Sequence, residues 1–267
     1  MGVLTTDTGI ELPAGKVFYR DSGGAGTPMV FLHAASGNSM LWEQQIPAFT
    51  AAGYRFIAVD HRAAARGSNS TALIDAVLAK LKIERCHLLG TAAGGGAALQ
   101  YALAHREKLL SLIVANSIGF VLDSDYLDMS NRLRPAPLFN QLPLELRELG
   151  PSYRAANPAG VARWLALSAN QQASTGAQVK EGGNVEVTWA KLEALKIPTL
   201  LLTGDADLYT PPSVLRMFAA RMPHAESAVI AETGHSSYWE SPEAFNRTVL
   251  DFLRKHDERC ATADERR

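Results

Sequence analysis

Cysteine is scarce in this sequence, with two residues, Cys86 and Cys260, in a chain of 267. Two cysteines cannot build a disulfide framework in a chain this long. One lies in an apolar, strand-like run and the other in a polar tail, a usage expected in a reducing compartment such as the cytoplasm. Neither sign of charge is in excess. Twenty-six Lys and Arg stand against 27 Asp and Glu, a net charge of −1, and they are scattered, without the basic stripe that nucleic acid or an acidic membrane surface requires. No uncharged apolar run is long enough for a membrane span, and no apolar segment of the export type opens the chain. Met1-Gly2-Val3-Leu4-Thr5-Thr6 has the form of an N-myristoylation start, but no polybasic patch or second lipid site accompanies it, and the match is read as chance. Dinucleotide-type glycine fingerprints and metal-ligand clusters are also missing, so no cofactor is called for. These absences leave a partner that is a small molecule, neither nucleic acid nor membrane, and nothing in the sequence specifies an oligomeric state.

What is present is a core. Hydrophobic residues make up 47% of the chain, enough to bury one large domain. Apolar runs at Val17–Arg20, Met29–Leu32, Tyr54–Val59, Cys86–Leu89, Leu109–Ala115, Pro198–Thr203 and a short one at Ala228–Ile230 read as strands. Several are continuously apolar, as suits strands of a parallel sheet covered on both faces. Between them, helical spacing is expected over Trp42–Ala52, Thr71–Leu81, Ala97–His105, Ser213–Met222 and Glu243–His256. This alternation predicts an α/β fold with a mostly parallel central sheet flanked by helices. It breaks once. From Gly119 to about Lys196 the text turns Pro-rich and helical, with Asn157-Pro158 placed as N-cap and first-turn residue, so a helical cap at 119–196 is expected to interrupt a core made of 1–118 and 197–267. Asp257–Arg267 reads as a solvated, frayed tail.

The most informative stretch is His87-Leu-Leu-Gly-Thr-Ala-Ala-Gly-Gly-Gly-Ala-Ala-Leu99. A nucleophile raised above a parallel sheet projects from a strand-to-helix turn so sharp that the positions two before and two after it have no room for side chains, hence G-x-S-x-G. Gly90 and Gly94 fill those positions here, and the central residue is Ala92. Further on come Gly204-Asp205-Ala206-Asp207 after a strand and Glu232-Thr233-Gly234-His235 before the last helix. Turn, acid and histidine thus follow in the order of acyl-transfer triads on this architecture.

With these pieces in order, the chain resembles the α/β-hydrolase fold family, of the esterase, lactonase and C–C bond hydrolase group, over nearly its whole length. Leu32-His33-Ala34-Ala35-Ser36-Gly37 resembles the family's oxyanion segment, and Asp60-His61-Arg62 resembles its D-x-R at a strand end. The resemblance implies that His235 is the general base, that Asp207 orients it in preference to Asp205, and that the nucleophile position is Ala92. It also implies that the oxyanion hole is made by the backbone N–H groups of Ala93 and Ala35, with Ala34 as the neighbouring alternative. His33 is read as bracing its loop and Arg62 as anchoring another. One local departure is the segment Asp60 to Ser68, where alanines replace the usual glycines and a tighter or differently routed loop is expected.

Ala92 has no oxygen with which to attack. Three readings follow: a hydrolase inactivated by replacement of serine, a ligand-binding pseudo-hydrolase, or base catalysis by His235 and Asp207 without a covalent step. The first is preferred. A Cβ at a positive-φ elbow costs about 1 kcal/mol, so a lineage freed from catalysis drifts to glycine, whereas alanine is the smallest change that deletes the hydroxyl. Substrate is left open among esters, lactones, amides and C–C bonds. Phe139, Trp164 and Trp189, with Leu142, are candidates to line an apolar chamber under the cap, against the simpler reading that they pack the cap itself. Arg132, Arg134, Arg154 and Arg163 are read as solvated helix faces before carboxylate holders.

Overall fold

The computed structural model describes residues 6–12, 15–60, 70–117, 119–169 and 185–264. Eight strands form one sheet: β1 (Thr6–Leu12), β2 (Gly15–Asp21), β3 (Pro28–Leu32), β4 (Arg55–Val59), β5 (Cys86–Thr91), β6 (Leu109–Ala115), β7 (Thr199–Gly204) and β8 (Ala225–Ile230), in the spatial order β1-β2-β4-β3-β5-β6-β7-β8. β1 and β2 form an antiparallel hairpin and β2 pairs antiparallel with β4, while every pair from β4 to β8 is parallel. The sheet is mostly parallel, as expected. β1 lies outside the strands anticipated from apolar runs, because its pairing with β2 rather than a continuous apolar stretch makes it a strand.

Side chains alternate across the parallel strands, as the two-residue repeat requires. Val30, Leu32 and Leu88 point into one core with α2 (Ser70–Lys80), α3 (Ala93–Ala104) and α10 (Pro212–Arg221). Met29, Phe31 and Leu89 point into the other, with α1 (Gln45–Ala51) and α12 (Pro242–Asp264). This double burial explains why β5 and β7 are buried at every position. The chain runs outward from β3 to β4 and returns to β5 on the other side of β3. A crevice therefore opens between the carboxyl ends of β3 and β5, the usual place for a ligand in an open α/β sheet.

Between β6 and β7 the chain carries α4 (Ser124–Leu133), α5 (Leu138–Gln141), α6 (Leu144–Glu148), α7 (Pro151–Ala156), α8 (Pro158–Ala169) and α9 (Trp189–Glu193). Entry and exit of this insertion are tied by a parallel bridge between Val121 and Val187. Asn157 Oδ1 accepts the Gly160 N–H at 2.9 Å, capping α8 directly before Pro158.

Two expectations from the sequence are corrected. α3 begins at Ala93, not Ala97, because the three consecutive glycines are selected by close packing: a Cβ on Gly94 would lie 2.3 Å from Leu32 O and one on Gly95 2.4 Å from the Ser117 side chain. Nor does the tail fray from residue 257. α12 continues to Asp264, and Asp257 accepts the Tyr54 hydroxyl at 2.6 Å while its other oxygen lies 3.2 Å from His87 Nε2. His87 is held on its other side by Ser111 at 2.8 Å, so a polar brace runs from the sheet to the last helix. Cys86, beside it, is fully buried, which pushes its thiol up to about 12. The Asp60–Ser68 departure and Arg62 lie outside the described residues, apart from Asp60 itself.

Candidate active site

β5 ends at Thr91, and Ala92 takes φ 51° and ψ −118° before α3 begins at the next residue. This is the positive-φ elbow anticipated from the glycine pattern. A Cβ on Gly90 would stand 2.1 Å from Gly94 O, so the turn closes only with glycine at both ends. The turn is also pinned from below. Ala92 N–H reaches the carbonyls of Ala115 and Asn116, each at 3.1 Å, and Ala92 O accepts the Ser117 hydroxyl at 2.7 Å. As the first residue of α3, Ala93 directs an N–H away from its own helix, since the first-turn amides have no intrahelical partner. On the neighbouring strand, the loop after β3 turns back on itself through a Gly37 N–H to Ala34 O bond of 2.9 Å, leaving Ala34 buried and Ala35 exposed. His33 braces this loop: Nδ1 is 2.7 Å from Ala34 O and Nε2 3.0 Å from Asp60 Oδ1.

Asp207 and His235 meet. His235 Nδ1 lies 2.9 Å from both carboxylate oxygens, and both side chains are almost wholly buried. Asp205, the rival acid, is exposed. The Asp207 carboxylate also accepts the Tyr209 and Thr210 N–H groups at 2.8 and 3.0 Å, the Thr210 hydroxyl at 2.7 Å, the Thr203 hydroxyl at 3.2 Å and Asn116 Nδ2 at 3.0 Å. Burial alone raises such a carboxyl, but the His235 charge and hydrogen bond, then the Thr210 amide and Asn116, overcome it and hold Asp207 far below the usual carboxylate range. His235 moves the other way. Burial pushes it down, and the Asp207 charge and hydrogen bond, with the charge of Glu148, outweigh that and hold it above the ordinary histidine value. With Nδ1–H committed to Asp207, Nε2 is left as the proton acceptor.

The other anticipated residues separate into two groups. Phe139 meets Tyr209 edge-on at 4.9 Å, and Tyr209 in turn lies over His235 at 4.3 Å, so Phe139 is one ring removed from the histidine. Trp164 is fully buried in the core cluster that includes Trp42 and Tyr238, next to the histidine loop. Trp189 is not brought to this cluster. Its ring packs edge-on against Tyr126 and Phe218, Arg221 sits 5.5 Å over it, and Nε1 donates to Asp125, so its contacts join the insertion to α10. Arg163 pairs with Glu43, and Arg134 lies 5.8 Å over the Tyr209 ring.

Several site residues escaped the sequence reading. Asn116, at φ 46° after β6, ties three segments together: its carbonyl receives Ala92 N–H, and Nδ2 donates to Asp207 and to Gly234 O. A polar residue tolerant of positive φ at the end of an apolar strand was the available signal. Glu240, on α11 (Ser237–Glu240), accepts Gly234 and Gly150 N–H groups at 2.9 and 2.7 Å; burial raises it to about 7 against those donors. Glu148 reaches the site from the insertion, and nothing in Leu144-Glu145-Leu146-Arg147-Glu148 set it apart from Glu145. Among the described residues, no group of three His, Cys, Asp or Glu is placed to hold a metal, and no helix is long and apolar enough to cross a membrane.

Residues 27–242 match the family described as alpha/beta hydrolase fold. The chain belongs to that family. A 2-hydroxy-6-oxononadienedioate/2-hydroxy-6-oxononatrienedioate hydrolase from Burkholderia vietnamiensis is 28% identical over 95% of this chain and 95% of its own. A 2-hydroxy-6-oxo-6-phenylhexa-2,4-dienoate hydrolase from Burkholderia cepacia is 25% identical over 88% of this chain and 90% of its own. Among solved structures, the enol-lactonase of Burkholderia xenovorans superposes with a TM-score of 0.72 at 19% identity, covering 92% of this chain and 100% of that one. Naproxen esterase from Bacillus subtilis gives 0.70 at 22% identity, covering 94% and 92%. The relatives are hydrolases of small organic molecules, and the structural neighbours share the fold.

Proposed function

We propose that this chain is a hydrolase of a small organic ester, lactone or C–C bonded substrate whose Ser-His-Asp machinery lacks only its attacking oxygen. In this reading His235 is the general base, Asp207 fixes its tautomer and stabilises its charged form, and Ala92 occupies the nucleophile position. The N–H groups of Ala93 and of Ala35, or of its neighbour Ala34, receive the oxyanion. The insertion at 119–196 is the cap, and Phe139 and Trp164 lie at its contact with the site. In the same reading the protein works in the cytoplasm, with a small molecule as its partner.

The observation that carries this reading is the pairing of a positive-φ elbow at Ala92 with a buried, hydrogen-bonded Asp207–His235 pair. A turn that strained persists where the geometry itself is used. As it stands the chain is expected to form no acyl-enzyme. The test is Ala92→Ser, assayed against aryl esters, lactones and vinylogous diketones. A gain of about a hundredfold or more over the parent on one class is expected. No gain on any class would replace this reading with a ligand-binding site, or with base catalysis by His235 and Asp207 that involves no covalent step.

A further inference from the structure

One buried acid beside the histidine has no part in the machinery above. Glu148 ends α6, and its chain neighbours show where it stands. Arg147 Nη1 donates to the Tyr209 hydroxyl at 3.1 Å, and Tyr209 covers His235. Two residues on, Gly150 packs backbone to backbone on Gly234: a Cβ on Gly150 would fall 2.8 Å from Gly234 N. Glu148 is therefore set between the two supports of His235, and only 5% of its surface is exposed. The Ser36 hydroxyl, on the Ala34–Gly37 turn, stands next to its carboxyl. Even so, neither Glu148 Oε2 nor Ser36 Oγ makes a hydrogen bond of normal geometry, and the same holds for Trp164 Nε1 beside Tyr238.

Three unpaired polar atoms thus lie around one buried histidine, where a polar group of a ligand would satisfy them. The charged groups facing Glu148 are His235, Asp207 and Arg147. Arg147 is committed to Tyr209 and to Leu142 O, and His235 to Asp207, so neither closes on this carboxyl. Burial raises Glu148 above the ordinary range, in keeping with an acid that has no dedicated cation.

We propose that Glu148, with Ser36, forms a polar subsite beside His235 that reads an uncharged hydroxyl on the ligand and rejects a carboxylate there. A hydroxyl both donates and accepts, so it satisfies this side chain whether or not the acid carries its proton. A carboxylate would bring a third acid next to Glu148 and Asp207 in a site closed to water, where like charges are costly and discrimination is correspondingly strong. The inference rests on Ala92, Asp207 and His235 being the active site, but not on any chemistry there.

The test is therefore a binding measurement on the chain as it stands. Matched alcohols and acids of one skeleton, phenylpropanol with phenylpropionate and phenylbutanol with phenylbutyrate, are titrated by calorimetry into the parent, Glu148→Gln and Glu148→Leu, with thermal unfolding confirming that each is folded. The parent is expected to favour the alcohol by about tenfold or more. Glu148→Gln should keep the alcohol within about threefold and bring the acid up towards it, whereas Glu148→Leu should lose the alcohol, a difference that a purely structural role would not produce. Equal binding of alcohol and acid by the parent, a ratio unmoved in both variants, or no alcohol bound at all would each overturn the proposal. An Ala92→Ser enzyme that stays inactive while the alcohol preference holds sinks the hydrolase reading alone; an active one whose parent chain shows no preference sinks the subsite alone.

Discussion

The side-chain amide of Asn116 donates to Asp207 Oδ2 at 3.0 Å, while the carbonyl of the same residue receives the N–H of Ala92. One residue after β6 thus fixes the elbow and the carboxylate relative to each other, and Ser237 completes it by donating to its Oδ1. Asn116→Ala leaves Asp207 and Gly234 O each short of a donor in a dry site. A loss of about 1–3 kcal/mol is expected, read as a lower urea midpoint at unchanged slope. A change under about 0.5 kcal/mol would mean that the amide is dispensable.

The histidine makes a prediction about pH. His235 must be neutral to take a proton, and it is held above the ordinary value of 6.5. In the Ala92→Ser enzyme, kcat/KM should climb with pH through a limb whose midpoint lies above 6.5. A limb at or below that value would show that Asp207 does not stabilise the charged imidazole as the geometry implies.

Ala92 itself can be weighed. At φ 51° and ψ −118° its Cβ is strained, and glycine relieves that at the cost of a more flexible unfolded chain. Ala92→Gly should stabilise by roughly 0.5–1 kcal/mol, and Ala92→Val, with a branched Cβ, should destabilise by more than that. Equilibrium denaturation of the three proteins decides it. A valine variant as stable as the parent would remove the strain argument.

Glu240 gives a stability effect whose sign is fixed by linkage. Its ordinary value is 4.5 and in the fold it is about 7. Below 4.5 both states carry the proton and the stabilisation is complete. As pH rises from there, the unfolded chain ionises first, so stability falls until the folded value is passed, by about 3 kcal/mol at most. Glu240→Gln should flatten that interval in thermal unfolding scans. A parent whose stability does not decline between pH 5 and 7 would place this carboxyl nearer its ordinary value.

The framework of this site was legible in the sequence because it depends on backbone. Gly90 and Gly94 are dictated by atoms about 2 Å from where their Cβ would be, and such positions admit no other residue. Apolar strands buried on both faces gave the sheet for the same reason. Trp189 was left between lining a chamber and packing because a buried tryptophan carries no mark of which cluster it joins, and here it joins Phe218 and Tyr126. Asn116 and Glu148 were hidden for a different reason. Each stands beside a residue roughly ninety positions away in the chain, Asp207 for one and His235 for the other, and no local pattern encodes such a meeting.

The backbone contact of Gly150 with Gly234, stitched by Glu240 to both N–H groups, has a mechanical consequence. The start of α7 and the turn that carries His235 share one joint there, so neither shifts along this seam without moving the other. Any disturbance that loosens this joint will be felt first in the aim of His235.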